Sequence, residues 1–207
     1  MKRYPIITVS REYGSAGHDI ARALAARLDI PYYDNELIAM ASRDSGIPAE
    51  CFEAAEDTAT NPFAFALKSM GTASSAGIPL NNQMFLIQSS FIRTIADTSS
   101  AVIVGRCADY VLQDYAPTLN VFISADWEAR VERTARMEKL TEEEAERVIR
   151  RKDKARATYY GFYTDRRWGD LNNYDLVVNS TVIGIDATVD LLEYYVRHAA
   201  LSPIEVE

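Results

Sequence analysis

The stretch TVSREYGSAGHDIA, Thr8 to Ala21, joins a β-branched run to a helix-like segment through a turn that holds two glycines. Gly14 and Gly17 permit positive φ and close backbone approach, so successive N–H groups can converge on one concavity. A helix starting near Gly17 or His18 adds the positive end of its dipole, and a phosphate is the natural guest. The residues available to hold it are Ser10, Arg11, Gly14, Ser15, Ala16, Gly17, His18 and Asp19. A plain strand-to-helix turn has a similar composition, and the lysine that usually marks a phosphate loop is missing. Two cations stand near its place. Arg11 is permanently charged and presents a rigid fork; His18 is charged only when protonated, with an ordinary pKa of ~6.5.

Two further stretches have the right chemistry. In IVGRCADY, Arg106 directly follows a glycine that ends an apolar run, where a guanidinium can hold a second phosphate in bidentate fashion. From Arg147 to Arg167, RVIRRKDKARATYYGFYTDRR carries eight Lys/Arg against two Asp in a protein of net charge −8. A charge run is ordinarily a solvated helical face. This one passes into Tyr159, Tyr160, Phe162 and Tyr163, the composition of a basic lid that closes over polyphosphate and excludes water.

These residues need a scaffold, and the apolar pattern supplies one. PIITVS (Pro5–Ser10), DIPYYD (Asp29–Asp34), AVIVG (Ala101–Gly105), TLNVFISA (Thr118–Ala125) and DLVVNS (Asp175–Ser180) read as five short buried strands. Ile20, Leu24 and Leu28 mark the stripe of a first helix. Ile185, Val189, Leu192 and Val196 mark that of a last one. Asp126 is a candidate N-cap, and Thr141 with Glu144 forms a capping box that opens a long charged helix to about Tyr160. GTASSAGIPLNNQ (Gly71–Gln83) reads as a mobile loop. Strands alternating with helices predict an α/β fold with a parallel sheet covered on both faces, whose ligands bind beyond the carboxyl ends of the strands.

The glycine turn, the strand-end arginine and the basic run, in that order, resemble the nucleoside monophosphate kinases. More closely, the chain resembles the cytidylate kinase-like family of the P-loop kinases. The resemblance is carried by ITVSREYGSAGHDIARALAARLDIPYYD, VIVGRCADYVLQD, VFISADWEARVER, RRKDKARATYYGFYT and WGDLNNYDLVVNSTVIGID. It implies a P-loop NTPase fold of one domain over residues 1–207: a five-stranded parallel sheet flanked by helices, a helical acceptor-binding insert at 35–100 and a basic lid at 140–170. It implies Mg²⁺ with ATP, and a nucleoside monophosphate, CMP or dCMP, as acceptor. Gly17 falls at the place of the family's loop lysine and Asp19 at its metal-binding hydroxyl, which makes Asp19 the first candidate Mg²⁺ ligand, with Asp34, Asp109 or the nucleotide itself as alternatives. Arg106 matches the monophosphate-binding arginine, and Asp34 the acid that begins the acceptor region. Asp153 and Arg156 keep the spacing of the lid pair that contacts acceptor and phosphates, with Arg150, Arg151, Lys152 and Lys154 beside them. Asp109 joins Asp34, Arg106, Asp153 and Arg156 as acceptor-binding. Arg11, His18, Arg151 and Arg156 are the catalytic candidates. The strand-end acid of the family is replaced by Val104, and the acid after the arginine by Cys107.

An acidic balance argues against a general nucleic-acid binder. No apolar run approaches the ~18 residues of a membrane span, and MKRYPIITVS turns polar too soon for a signal peptide. Cys51 and Cys107 suit neither a disulfide framework nor a metal motif and read as buried small hydrophobes, so the expectation is a cytoplasmic protein. Trp127 and Trp168 read as packing residues, His198 as a helix C-terminal cation, and Gln83 and Gln88 as candidates to read a base edge. The apolar insert and the Tyr194–Tyr195 pair are the candidate surface for a homodimer. Two other readings fit the same residues: a nucleotide-binding protein that has lost the transfer step, and a kinase of another small metabolite.

Overall fold

The computed structural model describes residues 4–51, 80–115 and 117–199. Five strands, β1 (Ile6–Arg11), β2 (Tyr32–Tyr33), β3 (Val102–Val104), β4 (Thr118–Ser124) and β5 (Leu176–Asn179), form one parallel sheet in the order β2-β3-β1-β4-β5. The strand order reverses at β1, the place where open α/β sheets leave a crevice for ligands.

Alternation along the strands sorts their side chains between two layers. Ile7 and Val9 of β1, Val102 and Val104 of β3, and Leu119, Val121 and Ile123 of β4 face one side. They pack there with Ile20, Leu24 and Leu28 of α1 (Gly17–Leu28). Val189, Leu192 and Val196 of the C-terminal helix, Ile185–His198, complete this layer. Ile6 and Ile103 face the other side, against Leu37 of α2 (Asn35–Ser45), Ile92 and Ile95 of α3 (Leu80–Thr98), and α4 (Ala108–Val111). All five expected strands and both helical stripes are present; β1 is shifted one residue, to end at Arg11, β4 loses only its last residue, and the other three are trimmed at both ends.

Beyond β4 the chain forms a helical pair, α5 (Trp127–Glu138) and α6 (Glu142–Thr164). The capping box at Thr141 is formed in both directions: its hydroxyl accepts from the Glu144 N–H at 3.3 Å, and its own N–H donates to the Glu144 carboxylate at 2.9 Å. The helix runs on to Thr164, past the expected end near Tyr160, because Tyr159, Tyr160 and Thr164 are buried and extend its packed face. Asp126 does occupy the N-cap position of α5, but its side chain makes no capping bond. It accepts from Asn179 Nδ2 at 2.7 Å instead, tying β4 to β5. A short helix, α7 (Ser180–Ile183), and a longer one, α8 (Ile185–His198), close the described chain.

Asn81–Gln83 belong to α3 rather than to a loop, and residues 71–79 of the expected mobile segment lie outside the described residues. Gln88 is buried, with Tyr159 Oη donating to its Oε1 at 3.5 Å. Cys107 is buried as expected, and Cys51 is half-buried.

Candidate active site

β1 ends at Arg11, and the chain then turns through Glu12–Ala16 before α1 begins. Two close approaches shape the turn. Gly14 has φ +77°, and a Cβ there would lie 2.8 Å from Thr134 Oγ1 and 2.9 Å from the Arg130 carbonyl oxygen, so only glycine lets the loop rest on α5. Ser15 Oγ donates to the Glu12 carbonyl at 2.9 Å, and Ser180 Oγ donates to the Ser15 carbonyl at 2.7 Å. Ala16 adopts a left-handed conformation at φ +62°. These ties hold the loop against the first turn of α1, whose Gly17 N–H donates to Ser15 Oγ at 3.3 Å and whose leading N–H groups lack a carbonyl partner within the helix.

A cavity of about 240 Å³ opens against this loop. Its wall runs from Arg11 to Asp19 without a break and is completed by Arg133, Thr134, Met137 and Glu138 of α5 and by Arg156 of α6. Arg133 Nη1 donates to the Gly14 carbonyl oxygen. Burial pushes the Arg133 guanidinium below its ordinary value, with Arg136 adding to the effect and Asp19 opposing it. A cavity of this composition, with backbone donors at a helix N-terminus and a half-buried guanidinium, suits a polyphosphate.

A second cavity, of about 180 Å³, lies beyond the ends of β1 and β3. It is lined by Ser10, Arg11, Asp34, Gly105, Arg106, Cys107, Lys152, Arg156 and a wall of Tyr13, Tyr159, Tyr160 and Trp168. Four cations thus face one carboxylate in a protein of net charge −8. Asp34 is buried; its Oδ1 lies 3.6 Å from Arg106 Nη2, and its Oδ2 lies 3.2 Å from His18 Nε2. His18 stands edge-on to Tyr32, with ring centroids 5.7 Å apart. The aromatic wall is rigid: Tyr160 Oη donates to Asp109 at 2.6 Å, and Trp168 packs edge-on against Phe122. Burial raises the Asp109 carboxyl above its usual range, against the pull of the Tyr160 hydrogen bond. Burial also lifts the Tyr159 and Cys107 protons well above their ordinary values, so neither is an anion here.

Arg11 and Arg156 line both cavities. Arg156 Nη1 donates to the Arg11 carbonyl oxygen at 3.0 Å, and its guanidinium lies 5.2 Å from the centre of the Tyr13 ring. Burial, and then the neighbouring Arg11 charge, push Arg156 down to about 9. Burial also lowers Arg11, while Asp34 acts to raise it. Two like charges held together out of water form a site that gains by receiving an anion.

Asp153 has a different place from the cavity walls. Its Oδ1 accepts from the Tyr13 N–H at 2.8 Å, its Oδ2 accepts from Arg130 Nη2, and Arg130 Nε donates to the Tyr13 carbonyl at 2.7 Å. Glu12 joins this cluster, 3.4 Å from Arg130 Nη1, and accepts from the Ala125 N–H at 3.1 Å. The four residues Glu12, Tyr13, Arg130 and Asp153 lock the glycine loop onto the α5–α6 pair. Helical period sorts the basic run of α6. Lys152 reaches the second cavity, whereas the Arg150 guanidinium lies 4.3 Å from the Trp127 ring centre on the α5 side, and Arg151 and Lys154 are exposed. Asp109 lies behind the Tyr160 ring, and Ser10 lines the second cavity rather than the first.

The model of the cytidylate kinase-like family matches residues 6–182. The chain belongs to the cytidylate kinase-like family. Among solved structures, an uncharacterized protein from Eubacterium ventriosum is 28% identical with a TM-score of 0.71, over 94% of this chain and 99% of its own. A shikimate kinase from Bacteroides thetaiotaomicron is 12% identical with a TM-score of 0.52, over 93% of this chain and 98% of its own, which shows a shared P-loop kinase fold. No curated protein matches the chain. Family and fold together support phosphoryl transfer of the kinase type.

Within this cytidylate kinase-like frame, Arg130, Arg133, Tyr13, Cys107 and Trp168 are site residues that sequence reasoning passed over. Trp168 packs as expected and also walls the second cavity. Arg130 and Arg133, three residues apart after a strand and so on neighbouring faces of one helix, were the available signal. Among the described residues, no helix is long and apolar enough to cross a membrane.

Proposed function

We propose that the protein transfers the γ-phosphoryl group of ATP to a nucleoside monophosphate of the CMP or dCMP type. The observation that carries this reading is the pair of adjoining cavities with Arg11 and Arg156 in both walls. The loop cavity takes the triphosphate, and the second takes the acceptor, with its phosphate facing Arg106 and Lys152. An acceptor phosphate oxygen attacks the γ-phosphorus as the bond to the ADP oxygen breaks. Arg11 and Arg156 stand at the seam, where charge spreads over the equatorial oxygens, and fixed cations there act without reorganising.

The residues fit Mg²⁺ in the way nucleotide kinases use it, through one carboxylate and the substrate's own phosphates. Asp19 is exposed at the mouth of the loop cavity, in the first turn of α1. Among the described residues no three ligating side chains converge, so the ion would be held mainly by the nucleotide, with Asp19 beside it. When bound it neutralises charge on the transferring phosphates.

A second reading has one observation in its favour. The acceptor cavity, at about 180 Å³, is smaller than the loop cavity, at about 240 Å³, which favours a smaller phosphorylated or hydroxylated metabolite. ADP release measured with Mg²⁺–ATP against a panel of nucleoside monophosphates and small phosphorylated and hydroxylated metabolites separates the two. Turnover with CMP or dCMP is expected. Turnover only with a smaller acceptor transfers the assignment to the second reading. Nucleotide binding with no turnover on any acceptor makes the protein a nucleotide sensor.

A further inference from the structure

Gly17 opens α1 without a positive φ, so its backbone could accept any residue. What excludes a side chain is Arg11. A Cβ on residue 17 would lie 2.5 Å from Arg11 Cβ, closer than real Cβ atoms come, and a tight 3.0 Å from Arg11 Cγ; the next neighbour, Ser15 Oγ at 3.2 Å, is a rotatable hydroxyl. The far end of Arg11 passes a second glycine. Its Nη1 lies 2.5 Å from where a Cβ on Gly105 would stand, and Gly105 has φ +68°. The Arg11 side chain is therefore threaded between two glycines, one on the phosphate loop and one at the end of β3, and it emerges into both cavities.

We propose that Arg11 and a side chain on residue 17 are mutually exclusive solutions to one electrostatic requirement: Gly17 is a positioning residue that yields its space to Arg11, which supplies from β1 the cation a phosphate loop otherwise carries on that residue. The proposal rests on the loop cavity being the phosphate site. Its distinctive consequence is exchangeability. Removing the Arg11 side chain together with its Cβ, as Arg11→Gly does, clears the volume that a lysine on residue 17 requires, so the double change restores what the single change removes. Recovery is partial, because an ammonium is a point charge without the guanidinium fork.

The test uses the full chain, with ADP binding read by calorimetry and Tm by thermal unfolding. Arg11→Gly weakens ADP by about 10–100-fold, the usual effect of losing a charged hydrogen-bonding partner. Arg11→Gly with Gly17→Lys regains about tenfold, whereas Gly17→Lys alone binds no better than Arg11→Gly. In the native background Gly17→Ala lowers Tm by about 3–8 °C through overpacking, and in the Arg11→Gly background, where the opposing Cβ is gone, it does not lower Tm. Equal Tm losses from Gly17→Ala in the two backgrounds, or no recovery of ADP affinity in the double variant, overturn the proposal. Neither readout requires turnover, so a failure of the phosphoryl-transfer reading leaves this result standing on its own.

Discussion

The loop cavity and the acceptor cavity share Arg11 and Arg156 but are assembled by different means. The first is built around nine consecutive residues, Arg11 to Asp19, with α5 and Arg156 closing it, and its chemistry is centred on backbone amides at a helix start. The second draws single side chains from β1, the start of α2, the end of β3 and one face of α6, and closes with an aromatic wall. A backbone-made site tolerates side-chain change and reads the invariant part of a substrate. A site made of scattered side chains can be re-specified by single substitutions, which is where acceptor choice resides.

The largest expected effect follows from removing the shared cation. Arg11→Ala lowers kcat/KM by about 10³-fold, in the range lost with a transition-state donor or arginine. Steady-state kinetics varying each substrate in turn should show this loss from both sides. A loss confined to one substrate would mean that Arg11 serves a single cavity.

Arg106→Lys separates the cavities. It keeps the charge beside Asp34 but loses the fork, so the acceptor KM rises by about 10–100-fold while ADP affinity is unchanged. Conversely, Arg133→Ala weakens ADP by about tenfold through the loss of one charged hydrogen-bonding group, and leaves the acceptor KM alone. Each is read by calorimetry with ADP alongside acceptor saturation curves. If Arg133→Ala raised the acceptor KM instead, α5 would have to be moved from the donor side to the acceptor side.

Arg156 gives the comparison a pH dependence. Its folded-state value, about 9, lies well below that of an ordinary guanidinium, so the empty site disfavours the charged form; that cost is present at neutral pH and is relieved as pH rises through about 9. A bound anion favours the charged form and draws a proton in. Inorganic tripolyphosphate should therefore raise Tm at pH 7.5, by mass action on the folded state. The increment should shrink toward pH 9.5 more steeply in the native protein than in Arg156→Met. Parallel pH profiles for the two proteins would show that Arg156 does not meet the anion.

The same contrast explains what could be read in advance. Ile6–Arg11, Val102–Val104 and Thr118–Ser124 are apolar runs whose burial on both sheet faces leaves a continuous hydrophobic signal, and Gly14 and Gly17 announce a turn by composition alone. Arg11 was legible as a cation near the loop, but its path between Gly17 and Gly105 was not, because those glycines lie 88 positions apart. Arg130 and Arg133 sit in EARVERTARMEK, whose alternating charges have the pattern of a solvated helix; only docking of α5 on the loop turns them inward. Asp153 carried the right spacing for a lid acid, yet the fold uses it to hold the Tyr13 N–H. Spacing identifies which residues share a helix face, and tertiary contact decides what that face meets.

The smallest expected effect tests that last point within α6. Four basic residues follow one another closely, Arg150, Arg151, Lys152 and Lys154, and a lid defined by composition would use them interchangeably. The helix does not. At about 100° per residue, Lys152 falls on the stripe of Ala155, Arg156 and Tyr159 that walls the acceptor cavity, while Arg150 stacks on Trp127. A lysine half-exposed at a cavity mouth contributes a screened attraction, so Lys152→Ala should raise the acceptor KM by only about three- to tenfold, and less at high salt. ADP affinity should stay constant. Equal losses of ADP affinity and acceptor saturation would mean that α6 acts as a diffuse basic field over both cavities rather than through one directed side chain.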